Sequence, residues 1–325
     1  MPDSELAEPR YRSPLLDRPG AVPADGPDDG VALHYGDPLG EQRVLETGNS
    51  GNSLVDLSHR GVVRIDGADR LSWLHSLTTQ HLTDLKPHQA TSALLLSPRG
   101  HLENLLYLVD DGATLWIHTE PGQAAPLVAF LDRMRFLLDV RVADVTAERA
   151  VVFEPVTEPV PDQLCLVTGY GRYLLLERAG LPGYATDRHL AGSWAREALR
   201  IARHQPRFGL ETDHRTIPHE LGLIGSAVHL DKGCYRGQET VARVHNLGRP
   251  PRRLVFLHLD GSVERLPEPD APVELDGRPV GRVTSAARHF ELGPIALAVV
   301  KRNTPTEVEL LAGGVAAAQE VVVPG

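Results

Sequence analysis

Apolar positions along the chain change period from stretch to stretch, and each change marks an element. Val62-Val63-Arg64-Ile65 reads as a strand entering Asp66-Gly67-Ala68-Asp69, with Asp66 the expected cap of a helix bearing Leu71, Leu74 and Leu77 at intervals of three. Ser92 to Val109 reads as two strands about the turn Ser97-Pro98-Arg99-Gly100. After Gly122, the residues Leu127, Phe130, Leu131, Met134, Leu137 and Leu138 repeat with a helical period, and Pro126 suits a first helical turn. Val140–Val145, Ala150–Phe153, Leu164–Val167 and Arg172–Glu177 follow as β-rich runs, with Gly169-Tyr170-Gly171 as a hairpin turn. A helix is expected from Ser193, its cap, to Ala202. Residues 205–248 show little periodicity, and Arg249-Pro250-Pro251-Arg252 reads as a linker. Beyond it, Leu254–Leu259, Val273–Leu275, Val280–Thr284, Ile295–Val300 and Val308–Leu311 are short strands between Gly/Pro turns, the pattern of a small antiparallel barrel.

The class is therefore α+β with an all-β C-terminus. Pro, Gly and Asp dominate residues 1–30, where a mobile arm is expected. An α+β part at 31–145, a second α+β part at 146–248 and a barrel at 249–325 complete the expected organisation. Composition narrows the function classes. With 33 basic and 43 acidic residues the net charge is −10, which disfavours nucleic acid and anionic membrane as partners. No apolar run reaches the length of a membrane span, and the first twenty residues lack the form of a secretory signal, so a cytoplasmic location is expected.

Two cysteines make no disulfide framework. Cys165 lies in an apolar run and reads as inert, whereas Cys234 sits in Asp231-Lys232-Gly233-Cys234-Tyr235-Arg236-Gly237-Gln238-Glu239. Lysines are rare here (Lys86, Lys232 and Lys301), and one lies two residues from this thiol. Lys232 and Arg236 flank the sulfur, and nearby cations favour a thiolate, so Cys234 is the candidate reactive group; the competing reading is a small buried filler. No HExxH or CxxC spacing is present, so no resident metal is expected, and one cysteine cannot hold an iron–sulfur cluster alone. Asp56, Ser58 and His59 are too close in sequence to converge as a triad.

The run Lys232 to Glu239, followed by Val241-Ala242-Arg243, resembles the signature of the folate-binding YgfZ family, relatives of the glycine-cleavage T-protein. Val55 to Gly61, the helix from Asp69 and Ile295-Ala296-Leu297-Ala298 are similar to T-protein segments. The resemblance implies a T-protein-like ring of three domains about a central channel that binds tetrahydrofolate or a derivative. It also implies a part in the synthesis or repair of iron–sulfur clusters, with iron–sulfur enzymes or assembly proteins as partners. Cys234 and Lys232 become the expected functional pair, within the loop of Gly233, Tyr235, Arg236, Gly237, Gln238 and Glu239.

Against the T-protein pattern, the Asp-Asp pair is replaced by Glu103-Asn104, and the glutamate expected to bond a pterin is Ala202, two residues after Arg200. Glu103, Asn104 and Arg200 are the expected folate contacts. Displacing a carboxylate impairs acid–base work, so aminomethyl transfer is disfavoured. An aminomethyltransferase-like enzyme and a non-catalytic folate-binding module stand as alternatives.

Overall fold

A computed structural model of the chain describes residues 11–47, 52–161 and 163–323. Among the described residues the strands form two five-stranded sheets, one barrel and a short two-stranded ribbon of Val22–Pro23 and Ala32–His34. The first sheet runs Cys165–Thr168, Gly171–Glu177, Arg149–Glu154, Ser53–Asp56 and His189–Ala191, antiparallel except for its final pair. The second, all antiparallel, runs Ala90–Leu96, Leu102–Asp110, Thr114–Thr119, Gly61–Asp66 and Arg141–Asp144. The first sheet thus takes Ser53–Asp56 from before the second sheet and its remaining strands from after it, on both sides of residue 145.

The barrel is closed by six strands, in the order Arg252–Leu259, Gly293–Lys301, Arg278–His289, Pro272–Leu275, Glu309–Ala312 and Val315–Val321. Five were legible from β-branched runs. The sixth, rich in alanine, carries weak β-propensity and is held by pairing on both sides, to Arg252–Leu259 and Glu309–Ala312. Val255, Leu257, Val273, Ala298, Leu310 and Ala317 are among the side chains that fill it.

The apolar helix is shorter than its periodicity implies. It spans Ala124–Met134, and Leu137 and Leu138 lie beyond it. Leu137 is 92% exposed and adopts φ 56°. The helix Arg70–Leu77 is preceded by Asp69 rather than Asp66. Gly67 explains the shift: a Cβ there would stand 1.9 Å from the Asp139 carbonyl oxygen, so the chain turns tightly before the helix can begin. The helix Ser193–Ala202 has the expected length, with Gly192 in the cap position. A further helix, Gln238–Leu247, lies in the stretch that had no readable period.

Residues 11–30, expected to be mobile, are packed; residues 1–10 of that arm lie outside the described residues. Leu15 is buried beside Leu54, Val152, Leu174 and Leu181, and the Ser13 hydroxyl donates to Asp56. The segment is held by a few buried anchors, many of them polar, which leave no apolar period to read. Among the described residues no helix is long and apolar enough to cross a membrane.

Candidate functional site

Two places carry the chemistry-bearing residues. The first is the loop of Cys234. Lys232 is only 5% exposed, and its ammonium donates to the carbonyls of His75, Thr78 (2.5 Å) and Gln80 (3.1 Å). These carbonyls close the C-terminal end of the helix Arg70–Leu77, where a cation complements the unpaired acceptors and the helix dipole. An ammonium has three N–H groups, and all three are used. Burial pushes Lys232 down to about 8, which still leaves it charged at neutral pH.

Arg236 pairs with Glu103 at 3.0 Å and lies over the Phe130 ring, 5.3 Å from its centroid. Tyr235 is buried in the cluster shared by the second sheet, the helix Ser193–Ala202 and the barrel. Gly237, at φ 82°, lies so close to the Ser97–Gly100 turn that a Cβ would stand 2.5 Å from the Ser97 carbonyl oxygen. Gln238 donates to the Lys232 carbonyl, and Gly233 and Glu239 are exposed. The loop is therefore fastened at Lys232, Tyr235 and Gly237, and between these anchors it presents the exposed thiol of Cys234.

Both cations expected to ionise the sulfur are engaged elsewhere, Lys232 by carbonyls and Arg236 by Glu103. Spacing of two residues places a side chain near in sequence, but Lys232 and Cys234 alternate between the buried and exposed sides of the loop. The thiol is accessible, and both neighbouring cations are hydrogen-bonded to other groups. Cys165 is 4% exposed, and burial pushes its thiol up, in keeping with an inert role.

The second place is a cavity of about 610 Å³, lined by both sheets, the helix Ser193–Ala202, the loop from His204 to Ser226 and Val322 beside the barrel. Tyr107 and Tyr173 stack at 5.7 Å along one wall. Behind them His118 stacks on Tyr107 at 4.7 Å, with neither ring nitrogen partnered among the described residues. Burial, then Arg60 and Arg196, hold its imidazole well below the usual histidine range.

Arg60, Arg196, Arg200 and Arg207 reach the cavity, and each is at least nine-tenths buried. Carboxylates balance them. Glu120 accepts from Arg60 (2.6 Å) and Arg207 (2.7 Å), and Asp28 accepts from Arg207 (2.8 Å). Glu197 accepts from Arg200 (2.7 Å) and Arg196 (3.2 Å), and Glu211 from Arg200 (3.1 Å). Burial pushes Glu120 up, but Arg60, Arg207 and Arg196 outweigh it and hold the carboxyl below its ordinary value. Not every donor is used: Nε and Nη1 of Arg60 and Nε of Arg196 have no partner among the described residues.

Of the expected folate contacts, Arg200 lines this cavity. Glu103 is spent on Arg236 at the surface, and Asn104 is buried as the acceptor of the Thr119 hydroxyl at 2.7 Å. Cys234 is not among the lining residues either. Sequence reasoning missed Arg60, Tyr107, Glu120, Tyr173, Arg196 and Arg207. One signal was present: Arg196 and Arg200 share, at a spacing of four, the buried face of a helix with Ala195 and Leu199. Such a pair is seldom buried without a purpose.

Comparison with known proteins agrees with this architecture. Residues 252–324 match the family model of the glycine cleavage T-protein C-terminal barrel domain. Over 310 residues the chain is 26% identical to a chloroplastic protein of Arabidopsis thaliana named as a transferase, covering 82% of this chain and 70% of that one. It is 28% identical over 318 residues to an aminomethyltransferase of Moorella thermoacetica, covering 83% and 85%. An aminomethyltransferase of Synechococcus sp. (strain CC9902) is 27% identical over 315 residues, covering 79% and 83%. The crystal structure of the glycine cleavage system aminomethyltransferase T from Bartonella henselae superposes with a TM-score of 0.79 at 19% identity, covering 95% of each chain. The chain has the T-protein fold, and its barrel is T-protein-like in sequence as well.

Proposed function

We propose that this T-protein-like chain binds a reduced folate in its central cavity and assists the synthesis or repair of iron–sulfur clusters in client proteins through Cys234. The observation that carries the reading is the exposed thiol held in a loop anchored by buried Lys232 and Tyr235, on a fold built around a cavity of about 610 Å³. An accessible thiol is the form that can exchange with, or transiently ligate, a cluster borne by another protein. Lys232 acts as the post that holds the loop, its ammonium closing the helix end beneath it.

The cavity fits a folate in part. Tyr107 and Tyr173 offer aromatic surface, and the guanidinium groups of Arg60, Arg196, Arg200 and Arg207 line the cavity with positive charge suited to carbonyl or carboxylate oxygens. When bound, a folate supplies one-carbon chemistry or a reducing ring. On the protein side, Arg60 and Arg196 orient the ligand and the buried walls exclude water.

A second reading, aminomethyl transfer, is favoured by the names of the relatives. Against it stand Glu103, paired with Arg236 outside the cavity, and Glu120, the carboxylate that lines it, which two arginines keep ionised and occupied. A general base near the reacting atoms needs a free lone pair and a tuned pKa.

The test uses a strain lacking this gene. Iron–sulfur enzyme activities should fall, recover with the native gene and stay low with Cys234→Ala, while tetrahydrofolate binding by the variant is unchanged. Full rescue by Cys234→Ala would reduce the protein to a folate-binding module. Turnover of glycine-derived aminomethyl groups with a lipoyl carrier would establish the second reading.

A further inference from the structure

Three imidazoles meet beside the anchor of the cysteine loop. His75 stands in the last turn of the helix Arg70–Leu77, His81 lies in the turn that follows, and His229 precedes Lys232 by three residues. His81 packs edge-on against His75, with ring centroids 4.9 Å apart, and lies 5.5 Å from the His229 ring. The backbone ties the same knot, since the His229 N–H donates to the Thr79 carbonyl at 2.9 Å. None of the three rings lines the central cavity.

Lys232 is held beside them by dipoles alone. Its described partners are the carbonyls of His75, Thr78 and Gln80 and the ring of Tyr235, 5.1 Å from the centroid, with no carboxylate among them. A buried ammonium without a counter-ion tolerates further positive charge poorly. The charged and titratable groups that face His75 are Lys232, His81, Asp84 and His229. Burial, then Lys232 and His81, push the His75 imidazole below its usual range, and Asp84 opposes them. That carboxylate is exposed and bonded to His81 Nε2 at 3.1 Å, so it offsets one charge at most. Geometry adds a second cost. His75 Nδ1 accepts the N–H of buried Leu82 at 3.2 Å, and a ring protonated at both nitrogens cannot accept it.

We propose that the cluster of His75, His81 and His229 is a pH-sensitive latch on the cysteine loop, closed while the rings are neutral and opened when they take up protons beside Lys232. Opening carries the ammonium from its carbonyl seat into water, relieves the repulsion and frees residues 229–238, which include Cys234. The open loop binds more protons than the closed one, so acid favours it. The opening equilibrium rises by up to about tenfold per pH unit for each proton taken up. An imidazole away from other charges titrates at about pH 6.5, which sets the upper edge of the response. Such a latch needs only the way the loop is held, whatever the thiol meets, and so goes beyond the client reading without depending on it.

The experiment is amide hydrogen exchange of the full chain, read by mass spectrometry between pH 7.5 and 5.5. Rates are expressed as protection factors, which divide out the intrinsic pH dependence of exchange. Protection of residues 229–238 should fall at least tenfold across that range. The barrel strand Gly293–Lys301 should stay better protected at every pH, so that the loop is seen to open without global unfolding. His75→Gln, which keeps an acceptor for the Leu82 N–H, and His229→Gln should each make the fall at least threefold smaller. Equal protection of the loop at both pH values overturns the latch, and so does a fall of undiminished size in both variants. His229 is exposed, so His229→Gln decides the matter even if His75→Gln fails to fold.

Discussion

Individual side chains in this molecule take partners that their neighbours in sequence do not announce. Lys232 belongs to a helix end rather than to the thiol beside it. His118 is the sharper case, since it is 1% exposed, stacked on Tyr107 and without a partner at either nitrogen among the described residues. Its pKa lies well below 6.5, chiefly through burial, so the folded chain keeps the ring neutral while the unfolded chain takes up a proton near 6.5. Below that pH the unfolded state binds more protons, and stability falls as the pH falls, by up to about 1.4 kcal/mol per pH unit from this one site. His118→Phe preserves the stack and removes the titration. Denaturant midpoints of the variant should therefore differ less between pH 7.5 and 5.5 than those of the native chain. An unchanged acid loss would assign the effect to another group.

At the scale of elements, two positive-φ residues of opposite character make clear predictions. Gly237 precedes the helix Gln238–Leu247 at φ 82°, with the Ser97 carbonyl where a side chain would go. Gly237→Ala should cost on the order of 1–3 kcal/mol and loosen the cysteine loop, detectable as faster alkylation of Cys234 together with a lower unfolding midpoint. Leu137 stands at φ 56°, 92% exposed, after the helix Ala124–Met134 has ended. Nothing is buried by that leucine and the conformation is unfavourable for it, so Leu137→Gly should stabilise the chain by up to about 1 kcal/mol, read from chemical denaturation. Where the helix ends, Trp73 Nε1 donates to the Met134 carbonyl at 3.0 Å and Leu137 has left helical dihedrals, so the apolar period runs on past the helix itself.

For the molecule as a whole, Arg207 is the principal tie. It bonds Asp28 of the N-terminal segment, Glu120 at the end of the second sheet and Glu197 of the helix Ser193–Ala202, while 3% exposed. Removing one member of a buried ion network leaves charges unpaired, so Arg207→Met should cost roughly 3–5 kcal/mol. The expected signature is a lower thermal midpoint together with tryptic cleavage after Arg12 under conditions where the native chain resists. Loss of thermal stability without early cleavage there would mean that Asp28 is not what holds the segment. The same network walls the cavity, so its integrity and ligand affinity should fall together.

Local pattern determined seven of the ten strands in the two sheets (missing Ser53–Asp56, Thr114–Thr119 and His189–Ala191), five barrel strands, the helix Ser193–Ala202 and the distinction between the two cysteines, because period and composition report which face of an element meets solvent. The cysteine loop was legible as a motif, but its orientation was not. Only tertiary structure decided that Lys232 turns inward, that Glu103 leaves the cavity for Arg236, and that an apparently polar N-terminal segment is packed. The cavity itself is assembled from bonds such as Arg207 to Asp28, 179 residues apart, and Arg60 to Glu120, 60 apart. Periodicity reports burial, whereas an ion pair is settled by which surfaces the packed elements bring face to face.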